Sequence, residues 1–308
     1  MVRDGRTVTT LSTGGDGTSA TADADADGSD GPFWRELSAS LRLGDILVLA
    51  GVPAILIAIF TLPEATRRSL AFSYTDPTLV TAFTAHFVHL DTGHLAGNVA
   101  GYGILAGVGY ALAVLGGCRR FFFTALATFL LAFPFALSAL NLAVPRDAIG
   151  FGFSVINMAF AGLLPLLLGL YARERLFLSV SIRVLPAVFF PLVGWIALLA
   201  LPLSTSGPGL AGVAMAAAGV LLGLLYASSA EIDLRRPLRG RIRTVTARPG
   251  YSDLFVVGVV LLVGYPVVGF PADPTGDGSV VNLYVHLIGF CLAFIGPFVL
   301  LAAGAFDE

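Results

Sequence analysis

The 308-residue sequence predicts an all-α protein, a polytopic transmembrane helix bundle. Hydrophobic residues make up 56% of the chain and charged residues 12%, about half the charged share of a soluble domain. The mean hydropathy is +0.86, and apolar runs of about 20 residues, long enough to cross a bilayer as a helix, recur along the chain. Lipid leaves backbone N–H and C=O groups unsatisfied, so only helices or a closed barrel can span it. Runs this continuously apolar are not the alternating strands of a barrel.

Residues 1–31 read as a disordered acidic tail, in which Asp23, Asp25, Asp27 and Asp30 alternate with small residues that cannot build a core. The stretch Met1 to Gly14 lacks the apolar centre of a secretory signal, so the first hydrophobic segment is expected to remain as an anchor. A membrane domain follows over 32–308. Its eight apolar segments lie near 44–62, 93–116, 121–144, 152–172, 183–203, 209–229, 254–272 and 281–304.

Arginine placement orients these segments, because short cytoplasmic loops hold the positive excess. All 18 basic residues are Arg. With the N-terminus inside, the outer loops hold only Arg67, Arg68 and Arg146, while Arg119, Arg120, Arg173, Arg175, Arg183 and the run Arg235 to Arg248 fall inside. The outer loop at 273–279 carries Asp273 and Asp277. The expectation is a multi-pass protein of the cell membrane with both termini cytoplasmic, whose second, fourth and eighth segments enter from outside. With a net charge of −2, nothing in the chain resembles a nucleic-acid surface. The Arg run sets topology, with anionic membrane lipids as its alternative partner. Cys118 and Cys291 have no spacing suited to a disulfide framework or a thiolate metal site.

Polar groups inside apolar segments are costly and mark candidate sites. Here they are His86, His89, His94 and Asn98 around the start of segment two, Ser154 at the start of segment four, and His286 near the start of segment eight. Three segments distant in sequence thus present polar groups at one depth, which one shared site explains. A hydroxyl with an imidazole can carry out acyl transfer, the His taking the Ser proton during attack and returning it to the leaving amine. Ser154 and His286 form that pair. His94 and Asn98, four residues apart, project from one helix face and can stabilise the oxyanion. Ser154 also begins a helix, where unpaired N–H groups favour negative charge. With no carboxylate nearby, a dyad is expected rather than a triad. Gly150 and Gly152 give the preceding loop freedom to dip into the bundle. Gly97, Gly101, Gly103, Gly107 and Gly109 read as close helix contacts.

The stretch from His89 through His94 to Asn98 resembles the H-x4-H-x3-N signature of the rhomboid family of intramembrane serine proteases. Gly152-Phe153-Ser154 is similar to the start of its G-x-S-G motif, and His286-Leu287-Ile288-Gly289 to its H-x-x-G. The resemblance covers 44–172 and 281–304. It implies a rhomboid-like core in which Ser154 is the nucleophile, His286 the base, His94 and Asn98 the oxyanion stabilisers, and His89, Gly152 and Gly289 structural residues near the site. It also implies transmembrane protein substrates and no cofactor. The acidic, Lys-free composition points to a prokaryotic, salt-loving source.

The chain departs from the pattern at Val155, where the family has Gly, at Met158, where an aromatic residue is usual, and at Ala293, where Gly is common. Three apolar segments within 183–272 stand where the family core has one, and their odd number keeps Ser154 and His286 on one side. Two other classes stay open. One is a catalytically inactive rhomboid-like protein that binds or escorts membrane clients, motivated by Val155 and Met158. The other is a transporter, which needs mid-depth polar groups in repeated halves. The H-x2-H-x4-H spacing of His86, His89 and His94 is not the i, i+4 pair of a helical zinc site, so no metal is expected.

Overall fold

The computed structural model describes residues 31–144, 147–178, 180–201, 207–229, 248–271 and 282–306. Residues 1–30 of the expected tail over 1–31, together with Arg146, Arg235 to Arg243, Asp273 and Asp277, lie outside these. Among the described residues the chain is an all-α bundle, and seven of its helices are long and apolar enough to cross a membrane.

Helix α1 (Pro32–Ser40) begins on a proline, which gives up no hydrogen bond in a first turn. The first span is α2 (Leu43–Phe60). The connection to the second span is itself structured. It contains α3 (Glu64–Ser69), the two-residue strand β1 (Phe72–Ser73), α4 (Leu79–Thr84) and a 3-10 turn at Ala85–Phe87. Thr78 and Thr81 cap α4 reciprocally, each side chain accepting the other's backbone N–H. Asp91 caps α5 (Thr92–Leu115) by accepting the His94 N–H at 2.9 Å. Strand β2 (Ile149–Gly150) pairs antiparallel with β1. Then come α8 (Ser154–Arg175), α9 (Pro186–Ala200), α10 (Gly207–Ser229), α11 (Tyr251–Gly269) and α12 (Leu283–Ala302).

The third segment, expected as one span over 121–144, is instead two helices, α6 (Arg119–Leu131) and α7 (Phe133–Asn141), bent 48° at their junction. Pro134 causes the break. It offers no N–H to the Leu130 carbonyl four residues back, and its ring crowds that turn.

Helix α8 is the centre of the bundle, its most apolar stretch wholly buried, with α5, α11 and α12 packed on it. The crossing with α12 is nearly backbone to backbone. A Cβ on Gly162 would lie 2.1 Å from the Phe290 carbonyl oxygen, and one on Gly289 would lie 2.9 Å from that of Val155. In a lipid solvent such close contact, rather than escape from water, holds helices together. Of the three helices between α8 and α12, α11 lies against both α5 and α8, while α9 and α10 form a hairpin packed mainly on itself.

The small-residue reading of segment two holds at Gly101 and Gly109, which face Tyr265 and Phe122 at close range. It fails at Gly97, Gly103 and Gly107, where a Cβ would meet nothing within 4 Å among the described residues. Gly103 and Gly107 instead line a gap of about 360 Å³ beside α2, which touches α5 too loosely to need them.

Candidate active site

The chain approaches α8 through a loop fixed at three points. Strand β2 is paired to β1, the Gly152 N–H donates to the Ala85 carbonyl at 3.0 Å, and the Phe153 N–H donates to His89 Nε2 at 3.3 Å. Gly152 has φ of +111°, a conformation that strains any side chain. A Cβ there would also stand 2.6 Å from His94 Cε1. Two independent constraints therefore demand glycine two residues before Ser154. Ser154 opens α8, and its own N–H and that of Val155 lie in the first turn, where no intrahelical partner exists.

His286 comes from α12, carried against α8 by the Gly162 and Gly289 contacts. Ser154 Oγ lies 2.9 Å from His286 Nε2, and His286 Nδ1 lies 2.7 Å from the Gly269 carbonyl oxygen at the end of α11. A carbonyl only accepts, so Nδ1 carries the ring proton and Nε2 is left as an acceptor. The Ser154 hydroxyl therefore donates to His286. His286 is 4% exposed and Ser154 is half-buried.

His89 is fully buried and works as an acceptor. Because the Phe153 N–H points at Nε2, the ring is neutral there, and the Asn98 amide donates to the same nitrogen at 3.0 Å. Burial, with His94 nearby, pushes the His89 pKa down to about 3 against the opposing pull of the Phe87 carbonyl. The Arg67 guanidinium donates to the His89 carbonyl at 2.6 Å while stacking over Phe60. One of the few Arg residues assigned to the outer loops thus fastens the site.

His94 is half-buried beside Gly152, its ring 5.0 Å from that of His89. Among the described residues neither of its ring nitrogens has a hydrogen-bond partner, so its N–H is free to reach a ligand. Asn98 differs. Besides bonding His89, it receives the Asn157 amide at its carbonyl oxygen (3.0 Å) and at Oδ1 (3.3 Å). In this arrangement its side chain supports His89. His86 turns away to Ser138, 3.2 Å distant, so the three neighbouring histidines do not converge.

Two residues that depart from the sequence pattern have packing partners here. Val155 fits against Gly289, and Met158 fits against Gly269, where a Cβ would stand 2.4 Å from its sulfur. Three participants escape the sequence reading. Asn157, an amide within an apolar run three residues after Ser154, carries a visible signal. Tyr265 lies against Gly101 beside Asn157, and a tyrosine in a membrane helix gives little sign of it. The Gly269 carbonyl, a backbone atom, gives none.

Tyr74, Asn141 and Asn282 close the same end of the bundle. Asn282 caps α12 and donates to Asn141 Oδ1 at 2.6 Å, and Asn141 donates to the Tyr74 hydroxyl at 2.5 Å. Set against protein-family models, characterised proteins and solved structures, the chain finds no match.

Proposed function

We propose that this protein is a serine-type intramembrane peptidase that hydrolyses peptide bonds in or near transmembrane segments of membrane proteins through a Ser154–His286 dyad. The observation that carries the reading is the directed pair of hydrogen bonds, from Ser154 Oγ–H to His286 Nε2 at 2.9 Å and from His286 Nδ1–H to the Gly269 carbonyl at 2.7 Å. The rhomboid-like motifs support it, and the arginine distribution supports a site that opens outside a cell membrane with both termini cytoplasmic.

In the reaction, Ser154 Oγ attacks the scissile carbonyl as its proton passes to His286 Nε2. The oxyanion forms next to His94 and the first N–H groups of α8, and one positioned donor of this kind lowers the barrier by about 2.7–4 kcal/mol. The imidazolium returns the proton to the leaving amine, which departs and leaves an ester on Ser154. Water then attacks that ester, giving its proton to His286, and collapse frees the acid and restores the hydroxyl. No cofactor, metal or nucleic acid enters these steps, and the partners are transmembrane substrates and the surrounding lipids.

The test is cleavage of a transmembrane model substrate by the protein in proteoliposomes. Wild type is expected to yield a new amine terminus, and Ser154→Ala to yield none while keeping its thermal stability. Equal cleavage by that variant removes the enzyme reading. Client binding without cleavage favours the non-catalytic alternative, and solute uptake into the vesicles favours the transporter.

A further inference from the structure

We propose that the C-terminal end of α11 takes the place of a triad's carboxylate, with the Gly269 carbonyl acting as the positioning group for His286. The inference rests on the peptidase reading and names what orients its base. Gly269 is the last residue of α11, so its carbonyl has no N–H partner within the helix. The last i→i−4 bond of the helix runs from the Phe270 N–H to Pro266 O at 2.8 Å, and Gly269 O faces the imidazole. The aligned peptide dipoles of a 19-residue helix place partial negative charge at this end. That charge favours the imidazolium formed when Ser154 gives up its proton, as a buried aspartate does in a triad.

The contact is shielded. Phe270 is 2% exposed and lies edge-on to the His286 ring at 6.0 Å, so little water competes for the carbonyl. The absence of a side chain at Gly269 is what lets α11 come so near. Met158, on α8 and four residues after Ser154, has its sulfur where a Cβ would stand. Nucleophile, base and orienting carbonyl are thus keyed together by Met158 against Gly269. Moving the end of α11 frees the imidazole to turn or to take the other tautomer, in which Nε2 carries the proton and can no longer accept from Ser154.

Two variants test this in the full-length protein in proteoliposomes. Gly269→Val drives a side chain into Met158 and is expected to lower kcat by about 10–100-fold with KM little changed, by analogy with the loss of a partner that orients a metal-bound histidine. Adding Met158→Ala returns the volume and is expected to restore kcat to within a few-fold. Replacing Phe270 by phenyllactate turns the Gly269 carbonyl into an ester carbonyl, a weaker acceptor, with every side chain intact; it also removes the Phe270 N–H that bonds Pro266 O. It is expected to lower kcat with KM little changed, while thermal stability falls only by the loss of that one helix-end hydrogen bond. Wild-type kcat in the ester chain overturns this inference alone, as does failure of Met158→Ala to rescue a folded Gly269→Val chain. Absence of Ser154-dependent cleavage by the wild type overturns the peptidase reading and this inference with it.

Discussion

At the arginine-rich end of the bundle, Glu36 of α1 pairs with Arg175 of α8, and its carboxylate also accepts from the Tyr251 hydroxyl of α11. Both side chains of that ion pair keep a quarter to a third of their surface exposed. Arg119, Asp45 and Tyr110 make a similar cluster. At the opposite end Ser154, His286, His89 and Asn98 are joined by neutral groups, and the last three are buried. Charge survives where water reaches it, and burial leaves neutral partners. The first kind of contact fastens helices. The second kind fixes which atom holds each proton, which is what a proton-transfer site requires.

Changes at the two ends should therefore differ in kind. The largest effect is expected from His286→Ala, which should lower substrate cleavage by at least about 10³-fold, as loss of one member of a Ser–His unit does, with folding followed by thermal melting. Gly152→Ala comes next. It meets both the positive φ and the His94 ring, costs about 1–3 kcal/mol of strain, and should cut cleavage by displacing the loop that carries Ser154. Asn98→Ala removes its bonds to His89 Nε2 and from the Asn157 amide, but the Phe153 N–H still reaches the first and the residue-98 backbone carbonyl still accepts the second, so it should cost about 0.5–1.5 kcal/mol of stability. A lowered kcat at unchanged stability would instead assign Asn98 to the oxyanion.

The pH dependence of stability sharpens the contrast further. His89 and His86 are held neutral, pushed down by burial to about 3 and about 4 from an ordinary value near 6.5. The unfolded chain binds these protons first, so stability is full above pH 6.5 and falls as pH drops from there toward 4, by about 1.4 kcal/mol per pH unit for each His. Melting of wild type and His89→Gln across this window should show the shallower slope in the variant. The smallest effect is expected from Glu36→Gln, worth about 0–1 kcal/mol at a part-exposed pair, with cleavage unchanged.

Most of the architecture is legible in the sequence, since a lipid-crossing helix must be long and apolar and eight such runs are visible. The break at Pro134 is not, because the run stays apolar on both sides of it and hydropathy carries no directional information. The structured connection between α2 and α5 is equally hidden, since its short helices and two-residue strand depend on caps and distant pairing. At the site, Ser154, His286, His89, His94 and Asn98 stand out because polar groups are scarce in these segments, and the structure brings them together. Their division of labour is not legible. Whether Asn98 faces a ligand or His89 depends on Asn157 behind it, and the group that orients His286 is a main-chain oxygen.

Reaction of the protein in membranes with a fluorophosphonate probe reads out whether the Ser154 hydroxyl is activated by His286. Covalent modification is expected at Ser154 in the wild type and none when His286 is replaced by Ala. Modification that persists without His286, or a wild-type Ser154 that stays unreactive under conditions that modify an active serine peptidase, would contradict that activation.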